Sequence, residues 1–209
     1  MAALSGGEPS FVNATHSPET DLVPLSHLCD MPGTVFRRGD RLALRTVEHE
    51  DAEFIQRGHN HPDVGVTLGL NRPESETEAE ANIEDDEGDP LNVGLLVCLE
   101  DGDEPTPIGK VRLSNLHHTR PEISYWILPE YQGEGYGTEA VGVLVDYAFN
   151  AHEIRGLQAQ AFAPNEGSVG VLENLGFTHE GQLRDARFRN GEHVDVVWYG
   201  LLREEWEDD

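Results

Sequence analysis

The chain has 209 residues, a length that fits one domain of ordinary size plus a tail. It carries 40 Asp plus Glu against 14 Lys plus Arg, a net charge of -26, and its one lysine is Lys110. Gripping nucleic acid without regard to sequence requires clustered cations that displace counterions from phosphates, and no such cluster exists, so that class is excluded.

The first 33 residues hold Gly6, Gly7, Pro9, Pro18, Pro24, Pro32 and Gly33 with little periodicity, and are expected to form a flexible leader before a domain at 34–209. Arg38-Gly39-Asp40 reads as a turn, and Arg41 to Val47 alternates leucines with arginines as a strand does. Glu48 to Gly58 reads as a short acidic helix. Between Pro73 and Pro90, Ser75 followed by Glu78 has the capping-box spacing, and Ala79, Ala81 and Ile83 follow it. That stretch is expected to be a helix rather than an acidic linker, ending in a loop at Asp85 to Pro90. Strands are predicted at Leu91–Leu99, Ile108–Leu113 and Glu122–Leu128. From Gly135 to Asn150, Ala140, Val141, Leu144, Val145, Ala148 and Phe149 form one apolar helical stripe. A strand at Leu157–Phe162 and a short helix at Glu166–Leu175 follow, with Gly176 placed for a left-handed stop. Asn190-Gly191 signals a hairpin between Leu183–Arg189 and Val194–Leu202. Strands in sequence, then a strand–helix–strand unit, then a hairpin predict an α/β domain with a mixed sheet.

The N-terminus lacks a basic region and an apolar core, and no apolar run is long enough to span a bilayer, so no membrane partner and a cytoplasmic location are expected. The acids are spread along the whole chain. They read as a solvated carboxylate surface suited to a salt-rich cytoplasm, where screening acts within about 3 Å at molar salt, rather than as an acidic binding face. Cys29 and Cys98 do not make a disulfide framework, and Cys98 sits in an apolar run as a small core residue.

The chemistry lies in EISYWILPEYQGEGYGTEA. Gly133, Gly135 and Gly137 alternate across a strand-to-helix junction, where backbone N–H groups and the helix dipole can hold a pyrophosphate without lysine. Tight strand–helix packing would explain the glycines equally well. A P-loop fails because Lys110 is far from the turn. A dinucleotide fingerprint is weak, because Thr138 stands where its third glycine belongs and no acid ends the next strand.

The signature Gln-x-x-Gly-x-Gly at Gln132, Gly135 and Gly137 resembles that of the GNAT superfamily of acyl-CoA-dependent N-acetyltransferases. YWILPEYQGEGYGTEA, then Asn165-x-x-Ser168, then Leu175-Gly176-Phe177, resembles the branch that includes ribosomal-protein N-terminal acetyltransferases. The resemblance covers roughly Arg41 to Trp206. It implies a mixed, mostly antiparallel central sheet flanked by helices, with acetyl-CoA as co-substrate. It implies that amides from Gly133 to Thr138, Tyr136 included, hold the pyrophosphate beside Gln132. Backbone near Ile127, on a strand that splays from its neighbour, would pair with the pantetheine arm, and Asn165 would reach the same arm. Glu134 departs from the pattern, which often has a basic residue there.

An amine attacks a thioester only when neutral, so a base must take its proton and an acid can serve the departing thiolate. The resemblance puts the base at Glu122; an exposed strand-end carboxylate is the plain alternative. The tyrosine that many relatives use as acid falls at Leu172. Ser168 is the candidate for the thiolate side, with helix capping as its alternative, and Tyr199 is a remoter one. A covalent route through Cys98 is not expected. His59-x-His61 and His117-His118 lack a completing ligand set, so no metal is expected. The acceptor is expected to be a protein N-terminal α-amine or a small amine such as a polyamine, amino acid or aminoglycoside. An acyl-CoA-binding module without turnover is the alternative class. The oligomeric state is not legible in the sequence.

Overall fold

The computed structural model describes residues 32–100, 102, 104–189 and 191–207. Nearly all of the predicted leader, Cys29 included, lies outside the described residues; its last two residues, Pro32 and Gly33, offer their carbonyls to the Arg45 guanidinium.

Eight strands form one sheet: β1 (Val35–Arg38), β2 (Leu42–Thr46), β3 (Val93–Leu99), β4 (Thr106–Ser114), β5 (Glu122–Ile127), β6 (Gly156–Phe162), β7 (Thr178–Arg189) and β8 (Glu192–Leu202). Their order is β1-β2-β3-β4-β5-β6-β8-β7, antiparallel throughout except for the parallel neighbours β5 and β6. This is the mixed, mostly antiparallel sheet that was expected.

Helices cover both faces. On one face lie α1 (Ala52–Asn60), α2 (Pro62–Gly65) and α3 (Glu76–Gly88), whose Phe54, Ile55, Val64, Ala79 and Ile83 pack with Leu96, Cys98 and Trp126. On the other lie α4 (Tyr136–Ala151) and α5 (Glu166–Asn174), packed on Leu95, Val97, Val111, Leu113, Ile123 and Ile127. Successive residues of β3 point to opposite faces, and both are covered, so the strand is a continuous apolar run. A short helix, α6 (Arg203–Glu207), follows β8.

Ser75 and Glu78 form the reciprocal capping box that starts α3. The loop expected at Asp85 does not begin there; the helix runs on to Gly88. Its last turn is anchored because Asp86 meets Arg112 at 2.6 Å and Lys110 at 3.5 Å. Three further differences are local or tertiary in origin. β1 precedes the strand predicted as first, α2 is a single turn begun by Pro62, and β7 starts at Thr178 because β8 pairs with it there. Arg189 and Glu192 flank the hairpin turn, with Gly191 at φ 89°; Asn190 lies outside the described residues.

Candidate active site

β5 and β6 are paired at one position only, Glu122 opposite Gln158. Beyond it they part, and a cavity of about 730 Å³ fills the wedge. Of the residues singled out in the sequence it brings together Glu122 and Ile127 on β5; Gln132, Gly133, Gly135, Tyr136, Gly137 and Thr138 around the turn into α4; and Asn165 and Ser168 at the start of α5. Asp63, Val64, Thr67, Leu68, Gly69, Trp126, Gln160 and Arg187 line other parts of its wall.

The turn is built as an open amide cradle. Gly133 and Gly135 have φ of 82° and 84°, the left-handed region where a Cβ is strained. Gly135 is the cap residue of α4, so unpaired amides and the positive dipole end converge there. Gln132 Nε2 donates to the Ile127 carbonyl at 2.7 Å, which ties the turn to the end of β5. That bond occupies one of the backbone groups expected to face the pantetheine arm. Glu134 is exposed and does not line the cavity, so its carboxylate projects away from the cradle.

Sequence reasoning missed Arg41, which approaches this turn from the start of β2. Arg41 Nη1 donates to the Glu134 carbonyl at 2.9 Å, and Nε and the backbone N–H donate to the two Glu139 carboxylate oxygens at 2.8 and 2.7 Å. Its guanidinium lies 4.7 Å from the Tyr136 ring centroid. No local pattern marks a partner so distant in the chain.

At the closed end of the wedge, where β5 and β6 still pair, Glu122 Oε1 accepts from Gln160 Nε2 at 3.0 Å; Oε2 has no hydrogen-bond partner among the described residues. Strand parity places Glu122, Ser124 and Trp126 on the α1–α3 face of the sheet, and Ile123, Tyr125 and Ile127 on the α4–α5 face.

Tyr125 is the second residue that was missed. Its hydroxyl donates to the Ser168 carbonyl at 2.9 Å and lies 3.0 Å from Ser168 Oγ. Burial pushes its pKa up to about 12 against the opposing Ser168 hydrogen bond, so the phenol stays protonated across the neutral range. The available signal was its parity, opposite to that of Glu122. Leu172, at the place of the expected tyrosine, is fully buried in the core beneath α5.

Asn165 is used locally as well: its Oδ1 caps α5 by accepting from the Ser168 N–H at 3.2 Å. Tyr199 does not line the cavity; its hydroxyl donates to Glu173 at 3.0 Å, which removes it as a proton donor here. Cys98 lies buried on β3, where burial raises its thiol pKa to about 12, in keeping with a core role. His59 pairs with Glu74 at 2.6 Å, and no group of three or more His, Cys, Asp or Glu among the described residues could hold a metal. No helix among them is long and apolar enough to cross a membrane.

The model of the acetyltransferase (GNAT) domain matches residues 41–178. Among curated proteins, "Putative ribosomal N-acetyltransferase YdaF" of Bacillus subtilis is 42% identical over 101 residues, 47% of this chain and 55% of that relative. "Uncharacterized N-acetyltransferase YoaA" of the same organism is 31% identical over 167 residues, 78% of this chain and 94% of the relative. Among solved structures, spermidine N-acetyltransferase from Vibrio cholerae in complex with CoA and spermine has a TM-score of 0.72 at 27% identity, covering 80% of this chain and 98% of that one.

Proposed function

Because the chain belongs to the GNAT acetyltransferase family, an acyl-CoA-dependent N-acetyltransferase by descent, we propose that it transfers acetyl from acetyl-CoA directly to a primary amine in the β5–β6 wedge. The observation that carries this reading is the single paired position between β5 and β6, which leaves an open strand edge running into an amide cradle. An extended, amide-bearing arm can pair with that edge while its diphosphate rests on the turn.

In the proposed reaction the amine reaches Glu122 as an ammonium. The free Oε2 of Glu122 takes its proton and releases it to solvent. The neutral nitrogen attacks the thioester carbonyl, and the C–S bond of the tetrahedral intermediate then breaks. The second nitrogen proton ends on the sulfur, leaving an N-acetyl amide and free coenzyme thiol. Ser168 Oγ turns its proton from the Tyr125 oxygen to the developing thiolate, while the phenol keeps its own proton on the Ser168 carbonyl.

The first acceptor class is the α-amine of a protein N-terminus, supported by the 42% identical segment shared with the ribosomal N-acetyltransferase relative. A polyamine is the rival, supported by the overall likeness to the spermidine enzyme. The -26 charge goes with a salt-rich cytoplasm, where activity would rise with KCl. The test is release of coenzyme thiol from acetyl-CoA with N-terminal peptides, spermidine and amino acids across a KCl series. Amine-dependent release with one class preferred supports the reading. Coenzyme binding without amine-dependent release overturns the catalytic assignment, and protection from unfolding by NAD but not by CoA overturns the coenzyme site.

A further inference from the structure

Resting on the coenzyme reading of the turn, we infer that Arg41 is a positioning residue that aims the Gly135 amide at the coenzyme diphosphate from outside the cavity. In a trans peptide the C=O and the following N–H point to opposite sides of one plane. The Glu134 carbonyl and the Gly135 N–H belong to the same peptide group. Arg41 Nη1 holds that carbonyl at 2.9 Å, on the side away from the wedge, because Gly135 lines the cavity while Arg41 and Glu139 do not. The Gly135 N–H is thereby turned inward, and it has no hydrogen-bond partner among the described residues.

Two further side-chain contacts explain why an arginine is needed, and a backbone one adds to them. Glu139, in the first turn of α4, accepts from both the backbone N–H and Nε of Arg41, at 2.7 and 2.8 Å. The guanidinium plane lies over Tyr136, which itself lines the cavity. Only a planar fork can serve a carboxylate, a carbonyl and an aromatic ring together; an ammonium offers one compact charge. The Nη2 group is also 3.3 Å from where a Gly135 Cβ would stand, so the cation lies close behind the cradle.

A residue that only braces the fold would affect every acetyl donor alike, whereas one that aims an amide at the diphosphate affects only donors that carry it. The experiment compares acetyl-CoA with S-acetyl-pantetheine, which lacks the nucleotide and diphosphate, using full-length protein. In wild type, acetyl-CoA should have at least a tenfold lower KM. Arg41→Gln should raise the acetyl-CoA KM about tenfold, with kcat and the S-acetyl-pantetheine KM within about twofold. Arg41→Lys should fail to rescue fully, and Glu139→Gln, which frees the guanidinium, should raise the acetyl-CoA KM about threefold and serves if Arg41→Gln does not fold. A parallel loss with both donors, or no loss with either, would overturn the role of Arg41. Equal KM values for the two donors in wild type would instead overturn the coenzyme reading of the turn.

Discussion

Replacing Gly135 with valine tests the cradle directly. The residue sits at φ 84°, ψ 1°, where an L side chain costs about 1–2 kcal/mol, and a β-branched one lies toward the upper end. The new Cβ would stand 3.3 Å from Arg41 Nη2, close enough that the guanidinium must shift by a few tenths of an ångström. For a chain of this size about 1–2 kcal/mol lowers Tm by roughly 2–8 °C, so the variant remains folded at 25 °C. Binding suffers more. A hydrogen bond from a backbone amide to a charged phosphate is worth about 1.5–3 kcal/mol, so losing one weakens coenzyme affinity roughly 10- to 150-fold. Calorimetric titration of CoA into wild type, Gly135→Ala and Gly135→Val, with circular dichroism to verify the fold, reads both effects. A folded valine variant that binds CoA within threefold of wild type would refute the reasoning.

Glu122→Gln removes the proposed base but keeps an acceptor for Gln160, so kcat should fall about a hundredfold with CoA affinity nearly unchanged; unaltered turnover removes Glu122 from the mechanism. Ser168→Ala should lower kcat about tenfold in a saturating steady-state assay. Tyr125→Phe should lower Tm by a few degrees, about 1 kcal/mol for one buried hydrogen bond, and reduce kcat less than Ser168→Ala does. Because burial raises its pKa to about 12 and keeps the phenol protonated across the neutral range, Tyr125→Phe should leave the shape of the neutral pH–rate profile unchanged; a lost limb near neutrality would contradict this. Gly58→Ala should lower Tm by a few degrees despite better helix propensity, since its methyl would meet the Trp126 ring at 2.7 Å from Cζ3; a raised Tm would show that the ring yields freely.

The α4 stripe, the strands β3 to β6 and the glycine turn were legible because periodicity and turn chemistry are local properties. The α3 capping box was equally legible, but its C-terminal extension was not. Asp86 stays helical through ion pairs with Lys110 and Arg112, residues on a strand more than twenty positions away. β1 was missed because a four-residue edge strand rich in arginine has no alternation to detect. The cavity collects the residues named for the coenzyme and the base but not Tyr199, and Tyr125 and Arg41 escaped notice for different reasons. Tyr125 was visible in the motif, but its contact with Ser168 depends on how α5 lies against β5. Arg41 meets Glu139 across 98 positions, and nothing in either neighbourhood announces the other. Asn165 shows the converse: its Oδ1 serves the helix it begins, so a residue chosen for a ligand also has ordinary architectural work.

The lone rung between β5 and β6 divides the sheet into a five-strand block and a three-strand block. Each block is stitched by its own antiparallel ladders, while the seam is closed mainly by side chains of α4 and α5 packed across it. A guest lying along that seam would supply rungs the polypeptide omits and act as a removable ninth strand. Rigidity of the molecule as a whole would then be partly on loan from its cargo, and each departure of cargo would return the seam to a looser, receptive form.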